Sequence, residues 1–190
     1  GLMVSDGIVT GALTLACSDF ELFDIPPRFQ IDPVALDQLW KQLQRQVHPD
    51  HFSSQGAADK LLAMQWSVRI NEAYNRLKDP LKRAAYLCEL NGAAVNAENN
   101  TNMPSAFLMQ QMEWREALDD CKALKASDAK DEALEKLLDE VDGSHAQALK
   151  QIAKLIDVEH NFPAAVGQVR ALMFIEKFAQ EVQHQLDASS

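Results

Sequence analysis

Residues 32–50 read DPVALDQLWKQLQRQVHPD and residues 71–86 read NEAYNRLKDPLKRAAY, and these two stretches decide the fold. The first predicts a helix that begins at Asp32–Pro33, because Asp is a favoured N-cap and Pro is favoured at the first helical position. This helix must end near His48, since Pro49 disfavours helical geometry in the residue before it. Its apolar residues recur at helical spacing, and they are Leu36, Leu39, Trp40, Leu43 and Val47.

A second long helix is predicted from about Ala58 to Lys78, after a polar loop that runs from Asp50 to about Gly56. The two helices have the lengths and facing apolar stripes of an antiparallel helical hairpin. Asp79–Pro80 is another N-cap and first-turn pair, and it opens a shorter helix that ends at Asn91–Gly92. The apolar stripe predicted for the second helix consists of Leu62, Trp66, Ile70, Ala73 and Leu77.

The rest of the chain predicts a second helical body. Residues 93–104 lack helical periodicity and form a predicted linker, and residues 1–18 form a predicted flexible N-terminus. We expect an all-α protein, with a helical hairpin and flanking short helices in residues 19–92 and a three-helix bundle in residues 105–190.

The bundle helices are predicted at about 105–125, 128–158 and 163–187. The middle one carries a heptad-like seam of Leu134, Leu138, Val141, His145, Ala148, Ile152 and Leu155.

Charge and composition exclude several classes of function. The chain is 47% hydrophobic and 24% charged, which is typical of a globular protein, and its net charge of −10 argues against nucleic-acid binding. Residues 1–92 carry nine Lys/Arg against eleven Asp/Glu, whereas residues 93–190 carry nine against seventeen, so the two halves are expected to meet different partners.

No apolar run approaches the ~20 residues that span a bilayer, and the N-terminus makes a poor signal peptide. We therefore expect no membrane partner and a cytoplasmic location.

Metal or cofactor chemistry has little support in the sequence. The three cysteines are Cys17, Cys88 and Cys121, and they are too far apart for a thiolate cluster. No P-loop, GxSxG or GxGxxG motif is present. A metal carrier or enzyme that uses His48, Asp50 and His51 remains an alternative, although this ligand set is incomplete for a tetrahedral site. We expect neither a resident metal nor a cofactor.

The tripeptide His48-Pro49-Asp50, set in a helical hairpin and followed by NEAYxxLxDPxxRAxY, resembles the J-domain of DnaJ-type co-chaperones. The resemblance implies that these three residues dock on an HscA/DnaK-type chaperone and stimulate its ATP hydrolysis. Lys41 and Arg45 lie four residues apart opposite the apolar stripe, where they would support docking on an acidic surface or simply form a solvated face. The sequence departs from the usual J-domain pattern on either side of the tripeptide. Val47 stands where an aromatic residue is common, and His51 stands where a Lys is common.

The C-terminal half distinguishes this chain from general DnaJ proteins, because it has neither a Gly/Phe-rich stretch nor a CxxCxGxG zinc domain. Segments 20–23 (FELF), 83–87 (RAAYL), 107–109 (FLM) and 113–116 (EWRE) resemble the HscB type of J-domain co-chaperone, over nearly all of the chain after residue 18. The resemblance implies a client that is a U-type iron–sulfur scaffold protein, bound on the first bundle helix and at Phe174. It also implies that the protein is an ATPase activator of a partner and not itself an enzyme. The alternative is a J-domain co-chaperone for a different client.

The first bundle helix has two distinct faces at about 100° per residue. Phe107, Trp114, Leu118 and Cys121 share one face, which we assign to the core. The other face carries Leu and Met side chains surrounded by acidic residues, which indicates a docking patch for a partner protein. The alternative is that the J-domain or the third bundle helix covers these apolar residues. The residues of this predicted patch are Leu108, Met109, Met112, Glu113, Glu116 and Asp120.

Overall fold

The computed structural model describes residues 13–48, 50, 56–96 and 103–188, and these residues contain seven α-helices and no strand. The all-α class is therefore confirmed. The chain divides into two compact units, Gly1–Arg83 and Ala84–Ser190. The predicted domain boundaries at residues 92 and 104 stay a prediction. Pro49, His51, residues 1–12 of the predicted N-terminus and residues 97–102 of the predicted linker lie outside the described residues.

The helices begin and end close to their predicted positions. The first unit contains α1 (Asp19–Phe23), α2 (Pro33–Val47) and α3 (Ala57–Lys78), and α4 (Pro80–Leu90) crosses the division between the units. The second unit contains α5 (Ser105–Ala123), α6 (Asp128–Ala153) and α7 (Phe162–Ala188), and a π-helical segment, Lys154–Val158, continues α6.

Local capping explains why α2 begins where it does. The carboxylate of Asp32 accepts hydrogen bonds from the backbone N–H groups of Val34 and Ala35, at 3.0 and 3.3 Å. Pro33 occupies the first helical position, where its missing N–H costs no hydrogen bond. His48 is the C-cap residue, as the following proline predicts.

The core of the first unit lies between α2 and α3. Leu36, Leu43 and Val47 of α2 are buried there. The stripe predicted for α3 is wrong at one position, because Leu62 is 47% exposed and Ala63 is buried instead. Leu62 and Ala63 precede Trp66 by four and three residues, and both separations are helical spacings. Only the packing of α3 against α2 decides which of the two is buried. The buried residues of α3 are Ala63, Trp66, Ile70, Ala73 and Leu77.

A buried ion-pair cluster attaches α1 to α3. Asp19, at the start of α1, is fully buried, and its carboxylate is 2.8 Å from Arg69 and 2.6 Å from Arg76. Arg69 also donates hydrogen bonds to the carbonyls of Leu15 and Cys17. The residues just before α1 are therefore held against α3 by the same arginine.

The seam predicted for α6 is wrong at two positions. Leu137 is buried where Leu138 was expected, and Ile156 is buried where Leu155 was expected. Both changes fit the 3.6-residue period of an α-helix better than the 3.5-residue period of a heptad, since Leu137 follows Leu134 by three residues and Ile156 follows Ile152 by four. Of the other seam residues, Leu134, Val141, Ala148 and Ile152 are buried, and Nε2 of His145 lies 3.2 Å from a carboxylate oxygen of Glu176 on α7.

Candidate functional site

Two residues between α2 and α3, His48 and Asp50, are exposed. His48 follows the last helical residue of α2, and the His48 and Asp50 side chains are 56% and 89% exposed. The backbone N–H of Asp50 donates to Nδ1 of His48 at 3.2 Å, and the Asp50 carboxylate lies 3.5 Å from the same nitrogen. The structure thus places two of the three predicted tip residues side by side. Pro49, the third, lies outside the described residues.

Two predicted basic residues lie on α2 below this tip. Lys41 and Arg45 are both exposed and one helical turn apart. Arg45 belongs to the last turn of α2, where a cation interacts favourably with the helix dipole. A partner that contacts His48 could also contact both of these charges. Two exposed cations one turn apart are equally typical of a helix face that contacts only solvent.

The second predicted surface, which we call the α5 face, consists of Leu108, Met109, Met112, Glu113, Glu116 and Asp120. All six residues are exposed, and the exposed fractions of Leu108, Met109 and Met112 are 49%, 66% and 74%. The other bundle helices therefore do not cover the apolar members. Of the four residues that the helical wheel assigns to the opposite side of α5, Trp114, Leu118 and Cys121 are buried and Phe107 is half-buried. The bundle core is complete without the α5 face.

Phe174 lies in a different environment from the α5 face. Its half-buried ring packs in an aromatic cluster with Phe107, Trp114 and Phe178, whose ring centroids are 5.8, 6.5 and 5.7 Å from that of Phe174. Its ring position is thus fixed by packing. The structure does not place its side chain among the exposed apolar residues of α5.

Arg115 is a residue of this region to which the sequence analysis assigned no role. Its guanidinium carbon lies 5.5 Å from the centroid of the Phe174 ring, and its Nη1 lies 2.7 Å from a carboxylate oxygen of Glu181. Because Arg115 follows Met112 by three residues, its side chain lies between the α5 face and the aromatic cluster. The sequence around Arg115 does not predict these contacts, because they join residues on α5 to residues on α7.

The cysteine thiols do not favour metal or nucleophilic chemistry. Burial raises the pKa of Cys88 to about 11, and burial is also the main cause of the raised pKa of Cys121. Across the described ranges, no three His, Cys, Asp or Glu side chains are grouped so that they could hold a metal ion. None of the helices in the same ranges combines the length and apolar character that crossing a bilayer demands.

Comparison with known proteins identifies the family. A family model described as the HSCB C-terminal oligomerisation domain matches residues 103–183. The chain is 49% identical over 170 residues to a co-chaperone protein HscB homolog of Paraburkholderia xenovorans, covering 90% of this chain and 94% of that relative.

Two solved structures share the fold. Chaperone HscB from Vibrio cholerae is similar with a TM-score of 0.75 and 35% identity, covering 92% of this chain and 100% of that one. The human co-chaperone protein HscB is similar in fold with a TM-score of 0.77 and 24% identity, covering 91% of this chain and 84% of that one. Because nearly half of the residues are identical to those of a curated relative over nine-tenths of the chain, this chain belongs to the HscB co-chaperone family.

Proposed function

We propose that this protein is a cytoplasmic J-domain co-chaperone of iron–sulfur cluster assembly. In this proposal the hairpin tip docks on an HscA/DnaK-type chaperone, and the α5 face binds a U-type iron–sulfur scaffold protein. The observation that carries the proposal is the exposed His48–Asp50 pair at the end of a hairpin whose core is closed. Membership of the HscB family supports the co-chaperone role.

The tip has properties that favour docking. The hydrogen bond that the Asp50 backbone N–H donates to Nδ1 of His48 holds the two residues next to each other, so less conformational entropy is lost when a partner orders them. Lys41 and Arg45 add two positive charges on the adjacent turns, which suits an acidic partner surface and raises the rate of encounter. In this proposal ATP is hydrolysed by the chaperone, and this protein needs neither nucleotide nor metal.

The α5 face has properties that favour a protein client. Leu108, Met109 and Met112 are exposed and adjacent on one helix, which is unusual for a purely solvated surface. Methionine side chains adapt to irregular surfaces, and the surrounding carboxylates favour a client with basic residues at the rim of its contact. Phe174 and its Arg115 partner would extend this contact towards α7. Binding both partners at once would couple delivery of the client to ATP hydrolysis.

The proposal is tested by steady-state ATP hydrolysis of an HscA-type chaperone, with and without this protein and the scaffold protein. His48→Gln should abolish the stimulation. His184→Gln is the matched control, because His184 is also exposed but lies on α7 in the other unit. We expect the control to stimulate like the wild type and the scaffold protein to increase the stimulation further.

Each other outcome has a definite meaning. If the wild-type protein gives no stimulation, or if His48→Gln stimulates fully, the chaperone-docking role is wrong. If stimulation depends on His48 but the scaffold protein adds nothing and does not bind, the protein is a J-domain co-chaperone for a different client.

A further inference from the structure

A group of polar side chains joins α2 to α3 just below the hairpin tip. The carboxamide of Gln44 accepts a hydrogen bond from the Ser67 hydroxyl at 2.8 Å. Its nitrogen donates to the Ser67 carbonyl at 3.1 Å and to the side-chain oxygen of Asn71 at 2.8 Å. We call Gln44, Ser67 and Asn71 the interhelix clamp. Both donors and the acceptor of the Gln44 side chain are thus used on α3.

The interhelix clamp continues towards the other end of the hairpin as a ladder of polar and aromatic contacts. The same Asn71 oxygen accepts a hydrogen bond from Nε1 of Trp40 at 2.8 Å. The Trp40 ring stacks on Tyr74 with centroids 4.5 Å apart, and the Tyr74 hydroxyl donates to Asp37. Gln44 is the member of this ladder nearest to the tip.

The position of Gln44 on α2 connects the interhelix clamp to His48. Four residues separate the two, which places them on the same side of the helix and about 6 Å apart along its axis. Leu43 and Val47 also hold this turn against the core, but apolar packing is non-directional and permits small rotations of a helix. Three hydrogen bonds require a narrow range of distances and angles, so they fix the rotation that apolar contacts leave free.

We propose that Gln44, held by Ser67 and Asn71, is a positioning residue for chaperone docking, because it sets the orientation of the last turn of α2 and so of His48. This inference rests on the proposed function of the tip. Gln44 itself need not contact the chaperone. Loss of the interhelix clamp should weaken docking while leaving the stimulated rate at saturation nearly unchanged, because the docked tip is ordered by the partner.

The test compares Gln44→Met with Tyr74→Phe in the chaperone ATPase assay. Gln44→Met keeps the shape of the side chain and removes its hydrogen bonds. Tyr74→Phe removes a hydrogen bond between the same two helices, at the far end of the ladder from the tip. We expect Gln44→Met to raise the half-saturating co-chaperone concentration about three- to tenfold, the scale expected when a side chain must be ordered on binding. Tyr74→Phe should leave that concentration within about twofold of wild type.

A conservative rescue separates positioning from general stability. Ser67→Thr keeps the hydroxyl that donates to Gln44 and should behave like the wild type. Ser67→Ala removes one of the three hydrogen bonds of Gln44, so it should raise the half-saturating concentration by less than Gln44→Met does. Circular dichroism must show every variant to be fully folded at the assay temperature. An unchanged half-saturating concentration in Gln44→Met, or an equal rise in Tyr74→Phe, would overturn the inference.

A measurement on the free protein tests the same inference without the chaperone. In Gln44→Met the NMR order parameter of the His48 backbone amide should fall from about 0.85 towards values below about 0.6, and in Tyr74→Phe it should not. An unchanged order parameter in Gln44→Met would rule out positioning by the interhelix clamp. A wild-type protein that fails to stimulate the chaperone would instead refute the proposed function.

Discussion

Truncation of Met112 to alanine should weaken client binding without weakening the fold. Burial of a whole Met side chain contributes about 1.5–3 kcal/mol, and 74% of Met112 is available for burial by a partner. Alanine keeps only the first side-chain carbon, so we expect a loss of about 1–2 kcal/mol in binding free energy. That loss corresponds to about a 5- to 30-fold rise in Kd.

Isothermal titration calorimetry with the scaffold protein measures this change directly. A matched pair of variants, Leu108→Ala and Leu124→Ala, separates the α5 face from exposed leucines in general. The two leucines are 49% and 45% exposed, but Leu124 lies at the far end of α5, about 24 Å away along the helix. We expect Leu108→Ala to raise the Kd and Leu124→Ala to leave it unchanged.

Urea unfolding provides the second readout for these variants. Because Met112 is exposed, its truncation should change the free energy of unfolding by no more than about 0.5 kcal/mol. A Kd within twofold of wild type for Met112→Ala would refute the assignment of the α5 face. An equal loss of affinity in Leu124→Ala would show that the effect is not specific to that face.

Three further predictions concern the fold. Asp19→Asn should lower the free energy of unfolding by about 3–5 kcal/mol, because Arg69 and Arg76 lose the buried carboxylate between them; a loss below 1 kcal/mol in urea unfolding would contradict this. Phe178→Ala should lower the free energy of unfolding by about 3–5 kcal/mol in the same measurement, since the Phe178 ring is fully buried in the aromatic cluster. A nearly unchanged free energy of unfolding would show instead that the cluster repacks. Stability should fall as pH rises from about 9 towards about 11, because burial raises the pKa of Cys88 and the unfolded chain releases that thiol proton more easily. Cys88→Ala should flatten this part of the pH profile, and an unchanged slope would assign it to another group.

The sequence alone determined where the helices begin and end, because the signals involved are local. Asp32 and Pro33 act within one turn of α2, and Pro80 acts in the same way at the start of α4. The same local reasoning separated the core face of α5 from its exposed face, since both faces follow from the spacing of residues on one helix. His48 and Asp50 were predicted from their pattern, and the structure adds their exposure and mutual contact.

Only the tertiary structure decided which of two adjacent residues is buried. Ala63 and Leu62 both fit a helical stripe, as do Leu137 and Leu138, and the neighbouring helix selects between them. Ile156 and Leu155 likewise both lie at helical spacing from Ile152, and the packing of the bundle buries Ile156.

The contacts of Arg115 with Phe174 and of Gln44 with Ser67 and Asn71 also required the structure. Each joins residues on different helices, and helical periodicity describes only one helix at a time. The sequence therefore determines which helices form and which face of each is apolar. Rotation of the helices against one another decides the polar contacts, because directional hydrogen bonds form only at particular rotations.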